Sequence, residues 1–202
     1  TDTLAQAIPL LDEQGELTQP GWARRLLPVY DRSKMRGGPL RLKERDCYLV
    51  MNRQCALALT ISDNRYMGMD SISLIDLWEG WQVTRSPMRL MPLGGTGLPQ
   101  SSLRGSCARA GRGYGLLFQH EGEGRTLHAH MDRFRDGQAL DAQILLTQEP
   151  EESIVMCTPF EKPGQFYFNQ KINCMRAQGK VTLGDREYVF DPEDSFAVLD
   201  WG

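Results

Sequence analysis

The sequence predicts an all-β fold, either an antiparallel barrel or a half-open sandwich. From Leu40 onward, apolar residues recur with a period of two, which is typical of strands with one buried face. Turn-forming clusters interrupt this pattern about every 8 to 12 residues. Leu183-Gly184-Asp185-Arg186 has glycine at the first central position, as a type II′ hairpin requires. These features predict consecutive antiparallel strands without a long helix.

Residues 1–39 are predicted to form an extended arm that packs on a β domain spanning residues 40–202. Eight prolines and glycines divide the arm, so no helix of ordinary length fits between them. Its apolar residues are expected to anchor it on the core: Leu26, Leu27, Val29 and Tyr30.

Three segments of the β domain show the clearest strand pattern: residues 54–61, 116–131 and 140–146. We expect them to belong to one curved antiparallel sheet system. The residues expected to be buried there are the large apolar ones on one face: Leu57, Leu59, Phe118, Leu127, Leu140 and Ile144.

Composition excludes several classes of protein. The formal net charge is −3 and the arginines are dispersed, which argues against a nucleic-acid partner. The apolar fraction of 41% is interrupted by 24% charged residues, so no membrane span is expected. The five cysteines are an odd number without metal-type spacing, which favours a reduced, cytoplasmic protein.

The sequence predicts neither a metal site nor a cofactor. His128 and His130 would share one strand face, whereas His120 would lie on the opposite face beside Phe118 and Leu127. The three imidazoles therefore cannot converge on a metal, and a polar outer face or cavity wall is the simpler interpretation. Residues 111–115 are glycine-rich but match neither the dinucleotide fingerprint nor the P-loop.

Two tryptophans, Trp78 and Trp81, lie near Asp70, Asp76 and Glu79 in the sequence. Aromatic groups interleaved with carboxylates could line a pocket for a flat apolar ligand. A core hairpin with acidic outer positions is the alternative.

Short landmarks lie along almost the whole chain. They are Gly21-Trp22-Ala23-Arg24, Lys43-Glu44 followed by Asp46, the segment 166–171, Gly179 and Leu199-Asp200-Trp201-Gly202. In their order and spacing they resemble a bacterial family of unknown activity, domain of unknown function 2804. The resemblance implies that this chain is the first of two β domains, that its natural continuation is missing, and that a second β domain of the same protein is a partner.

The family is in turn remotely similar to the lipocalin-like carotenoid hydratase group, which pairs two β domains around an apolar cavity. In that group an aspartate near the end of the first domain is linked with protonation of an alkene, and Asp200 is the matching position. The similarity implies Asp200 as a candidate catalytic acid, with Tyr167 and Lys171 positioning polar groups.

The sequence leaves three classes of function open. The leading hypothesis, which the resemblance implies, is a lipocalin-like domain, an antiparallel barrel or half-open sandwich, that binds a hydrophobic or lipid-like small molecule. The alternatives are a cofactor-independent hydratase or isomerase that uses Asp200 as general acid, and a structural or interaction domain. The candidate ligand-binding residues are Tyr167, Lys171, Asn173, Trp78, Trp81 and Trp201.

Overall fold

The computed structural model describes residues 3–202, and nearly all of its regular structure is β-strand. A single 3-10 turn, Arg32–Lys34, is the helical segment in this range. The strands are β1 (Ile8–Pro9), β2 (Gly21–Ala23), β3 (Pro28–Val29), β4 (Glu44–Met51), β5 (Cys55–Asp63), β6 (Met67–Asp76), β7 (Trp81–Arg85), β8 (Met88–Leu90), β9 (Gly105–Gly111), β10 (Tyr114–His120), β11 (Arg125–Arg135), β12 (Gln138–Thr147), β13 (Ile154–Pro159), β14 (Phe166–Leu183), β15 (Arg186–Phe190) and β16 (Phe196–Trp201).

Fourteen of the strands described form one large antiparallel sheet that folds over itself into a half-open sandwich, and β1 and β3 form a separate pair. The main path of the large sheet runs β7-β6-β5-β4-β16-β14-β12-β11-β10-β9, and within residues 3–202 its two ends do not pair to close a barrel. The two halves nevertheless meet face to face. Tyr48 on β4 packs edge-on against Phe118 on β10, with ring centroids 5.0 Å apart. The prediction of an all-β, half-open sandwich is confirmed.

The core follows the predicted alternation. The register pairs Leu57 with Leu74 and Leu59 with Ile72, so the large side chains of β5 and β6 share the inner face. The six apolar residues expected to be buried are all in the core. Pairing of β10 with β11 places Phe118 opposite Leu127 and Leu117 opposite His128, which confirms the predicted hairpin register.

The long strand β14 forms the corner of the sandwich. Its first part pairs with β13 and β16, and its second part pairs with β12 and β15. A bulge between Ile172 and Met175 separates the two parts, and Cys174 there has a φ of 60°. An extra residue in one strand bends it and increases its twist, which is why β14 can change partners.

The hairpin between β14 and β15 has the predicted two-residue loop. Gly184 has a φ of 57°, whereas Asp185 is not among the residues with positive φ, which is the type II′ pattern.

The N-terminal segment adds to both the sheet and the core. β2 pairs with the edge strand β13, and β1 pairs in parallel with β3. Leu4, Leu10 and Leu11 are buried in the main core. The expectation that Val29 anchors the segment is wrong: its side chain is 61% exposed, because alternation turns it outward from the buried Pro28.

The connection between β8 and β9 covers one end of the sandwich. Thr96, Leu98 and Ser102 in this connection are buried. Arg32 Nη2 donates a 2.6 Å hydrogen bond to Leu98 O, and Arg125 Nη2 donates one of 2.7 Å to Ser102 O. At this end of the sandwich the buried residues include polar and charged ones such as Thr96, Ser102 and Arg125. Within residues 3–202, the structure has no helix long and apolar enough to cross a membrane.

Candidate functional site

A groove of about 980 Å³ opens at this polar end of the sandwich. Most of the segment 35–46 forms one wall, and the β13–β14 turn with the start of β14 forms another. Gly37 and Gly38 have φ values of 105° and 87°, a conformation that glycine adopts without a steric penalty. These two residues let the chain turn at the groove mouth before it enters β4.

Aromatic and aliphatic side chains form most of the groove walls. Phe168 and Trp201 stand edge-to-face at the inner wall, with ring centroids 5.5 Å apart. Four exposed cations also line the groove: Arg36, Arg41, Lys43 and Arg45. The other apolar lining residues are Tyr30, Met35, Leu40, Leu42, Tyr66, Leu98, Phe160, Phe166 and Tyr167. The groove therefore combines mainly apolar walls with exposed cations.

Two carboxyl groups on β4, those of Glu44 and Asp46, also line the groove. Even-numbered residues of β4 face the interior, so both carboxyls are on the buried side of the strand. Glu44 is held by cations: Arg32 Nη2 lies 2.8 Å from Oε2 and Arg65 Nη2 lies 3.0 Å from Oε1. The Tyr30 hydroxyl donates a further 3.3 Å hydrogen bond to Oε2. The negative charge of Glu44 is thus compensated by two arginines.

The Asp46 side chain has a different environment. It is only 7% exposed, and within residues 3–202 we find no hydrogen bond to its carboxyl group. Burial raises its pKa to about 7; the charge of Arg125 lowers the pKa and the charge of Glu44 raises it, and burial outweighs both. Asp46 is therefore a carboxyl in the groove wall that titrates near neutral pH.

Arg125 lies behind Asp46 and belongs to a second ion pair. Its Nε lies 2.9 Å from Glu149 Oε2, and its Nη1 donates a 3.3 Å hydrogen bond to the Tyr48 hydroxyl. Asp46, Tyr48 and Arg125 also line a small cavity of about 10 Å³ beneath the groove. Because Arg125 is shared among Glu149, Tyr48 and Ser102 O, it is not committed to Asp46.

Asp200 lies outside the groove lining. It pairs with the outward-facing residue Cys47 in the register of β16 and β4. Arg45 Nη2 lies 2.5 Å from Asp200 Oδ2, and Lys171 Nζ lies 2.8 Å from Oδ1. The Lys171 contact is an ion pair without hydrogen-bond geometry, since Oδ1 has no hydrogen-bond partner. Asp200 thus sits between two cations on the outer face.

The predicted ligand-binding residues do not converge. Tyr167 and Trp201 line the groove, whereas Lys171 and Asn173 do not, and Asn173 lies in the β14 bulge. Trp78 is 75% exposed in the β6–β7 turn, and Trp81 lies under the Arg135 guanidinium, 3.8 Å from its ring centroid. The two tryptophans belong to the β6–β7 hairpin and do not line the groove.

The histidines are separated as the strand register predicts. His130 lies between Asp132 and Asp141, with ring nitrogens 2.6 Å and 2.7 Å from one oxygen of each. These hydrogen bonds, first that to Asp132 and then that to Asp141, raise the pKa of His130. No group of three or more potential metal ligands is found in the described part of the chain.

Sequence reasoning missed Asp46 as a site residue, although it was among the residues that carry the family resemblance. The available signal was its position: Glu44 and Asp46 continue the inward alternation of Tyr48 and Val50. A charged residue at a core position is rare unless it is paired. Which of the two carboxyls is paired depends on Arg32 and Arg65, which are distant from each other in sequence.

Comparison with known proteins identifies the family. The family model described as Domain of unknown function (DUF2804) matches residues 1–202. No curated protein and no solved structure matches the chain. The resemblance to the carotenoid hydratase group therefore stays a prediction. The family match covers the entire sequence, and the chain belongs to the domain of unknown function 2804 family.

Proposed function

We propose that this domain binds a hydrophobic, lipid-like small molecule in the groove between the segment 35–46 and the start of β14. The observation that carries the proposal is the groove itself, about 980 Å³ in volume and walled mainly by aromatic and aliphatic side chains. Ligand pockets typically have volumes of about 300–1,000 Å³ and few polar groups. The volume of the groove lies at the upper end of that range.

The two walls of the groove differ in burial, and both support the proposal. Trp201 and Phe168 are buried residues of the core cluster, so the inner wall is rigid. The outer wall includes Leu40 and Phe160, which are exposed apolar residues. A ligand that covers them would remove apolar surface from water at about 25 cal/mol per Å².

Binding of diphenylhexatriene, a fluorescent hydrocarbon, tests the proposal. We expect its fluorescence to rise on titration with the protein, and Phe160→Glu to weaken binding at least about tenfold, because a charge would stand in the apolar wall. Leu77→Glu is the matched control, since Phe160 and Leu77 are 56% and 54% exposed and only Phe160 lines the groove. Equal binding by the two variants, or none by the native protein, would overturn the proposal.

A second candidate is a cofactor-independent lyase or isomerase, and the Asp46 carboxyl in the groove wall favours it. A carboxyl that titrates near pH 7 is suited to exchange a proton with a bound substrate. Incubation of a bound unsaturated lipid in deuterium oxide would then introduce deuterium at carbon, and Asp46→Asn would abolish the exchange. Loss of exchange in Asp200→Asn alone would assign the role to Asp200.

A further inference from the structure

We infer that Asp46 recognises the polar end of the ligand by donating a hydrogen bond from its protonated carboxyl to a neutral acceptor, such as the carbonyl oxygen of a ketone, aldehyde or ester. This inference rests on the proposed function, and it names the ligand class: an apolar molecule that carries a carbonyl group and no charge at its inner end.

The position of Asp46 supports a direct contact. It lines both the groove and the small cavity beneath it, and its carboxyl group has no hydrogen-bond partner among residues 3–202. Trp201 lies opposite Asp46 in the strand register and lines the same groove. A ligand whose apolar body lies along Trp201 would therefore place its end beside the buried carboxyl of Asp46.

The charges around Asp46 favour its neutral form. On the same strand, Glu44 is a fixed anion, held by Arg32 and Arg65. A second carboxylate two residues away would repel it. Arg125 is the cation on the facing strand β11, and it is already bound bidentately by Glu149. Burial then makes the neutral carboxyl the preferred state at and below about pH 7.

Other titratable groups approach Asp46 from neighbouring elements. Tyr48 follows it on β4, and Cys107 lines the same small cavity from β9. His120 lines this cavity from the end of β10, and Arg104 lines it from the connection between β8 and β9. Burial raises the pKa of both Tyr48 and Cys107 to about 12, so neither changes charge near neutral pH. Of this set, His120 is the group that a pH experiment must separate from Asp46.

The inferred hydrogen bond selects against two ligand types. A carboxylate at the inner end would lie beside Asp46 and would be repelled by its ionised form. A pure hydrocarbon would leave the buried carboxyl unpaired, which is unfavourable by about 1–3 kcal/mol. An uncharged carbonyl oxygen accepts the hydrogen bond without either penalty.

Prodan, a neutral fluorescent naphthyl ketone, tests the inference when compared with diphenylhexatriene. If prodan binds only when Asp46 is protonated, the affinity for prodan should fall about 30-fold between pH 5.5 and pH 8.5. The affinity for the hydrocarbon should not fall. Asp46→Asn keeps a neutral donor, so we expect it to bind prodan tightly at both pH values. Asp46→Leu should bind prodan weakly at both.

Asp136→Asn is the matched control, because Asp136 lies in the exposed β11–β12 turn, and it should keep the native pH dependence. If the affinity of Asp46→Asn for prodan still depends on pH, the effect belongs to another group such as His120, and the inference is overturned. Hydrocarbon binding without any pH effect on prodan would overturn the inference and leave the proposed function intact. Failure of both probes to bind would overturn the two together.

Discussion

Glu44 and Asp46 lie two residues apart on the same face of β4, yet only Glu44 is bound by arginines. Arg32 reaches it from the N-terminal arm and Arg65 from the β5–β6 turn. Asp46 is left as a buried carboxyl whose pKa burial raises to about 7. Glu44 thus links the N-terminal arm to the β5–β6 turn, whereas Asp46 has no such partner within the described residues and is able to contact a ligand.

The raised pKa of Asp46 predicts a pH-dependent stability. The folded protein binds the proton of the Asp46 carboxyl more tightly than the unfolded chain does. The contribution of this proton to the free energy of unfolding is therefore complete below about pH 4 and is lost as pH rises through about 7. Asp46→Asn removes the titration. We expect the variant to gain about 2 kcal/mol or more in free energy of unfolding, relative to the native protein, between pH 5 and pH 8. Urea unfolding of both proteins at the two pH values measures this, and a constant difference would contradict it.

Tyr188 connects β15 to the end of β6 through Asp76. Its hydroxyl donates a 2.8 Å hydrogen bond to Asp76 Oδ2, and both residues are buried. We expect Tyr188→Phe to lower the free energy of unfolding by about 1–2 kcal/mol, because it leaves a buried carboxylate short of a donor. Tyr66→Phe is the control, since Tyr66 is exposed. Equal losses in the two variants, measured in urea, would contradict the prediction.

Gly179 occupies a position on β14 where backbone crowding excludes a side chain. Its φ is 142°, and an added Cβ would overlap the carbonyl oxygen of Gln143 on β12. We expect Gly179→Ala to destabilise the fold by about 3 kcal/mol or more, because neither backbone can move without breaking the ladder. Gly115→Ala should be tolerated, since its Cβ would lie 3.7 Å from Arg109 O. Comparable thermal midpoints for the two variants would show that the strands can separate.

The ion pairs of Asp200 are expected to contribute little to stability. Arg45 and Lys171 are 50% and 42% exposed, and solvent screens pairs of this kind. A double-mutant cycle with Asp200→Asn and Lys171→Gln should give a coupling energy below about 1 kcal/mol. A coupling of several kcal/mol would mean that this cluster is shielded from water, as by a partner domain on the outer face.

The sequence by itself determined the strand pattern and much of the local register. Leu57, Leu59, Leu127 and Ile144 are buried because alternation allows only one face of each strand to meet the core. The Gly184 hairpin followed from the positive φ that its turn type requires. Each of these features depends on residues close together in the chain.

Only the tertiary structure decided which polar residues form the groove. The pairing of β16 with β4 turns Trp201 inward beside Asp46 and turns Asp200 outward between Arg45 and Lys171. A shift of one residue in that register would exchange the two positions, and the registration of strands about 150 residues apart leaves no local signal. Burial, which sets the titration of Asp46, likewise depends on elements that meet only in the folded chain.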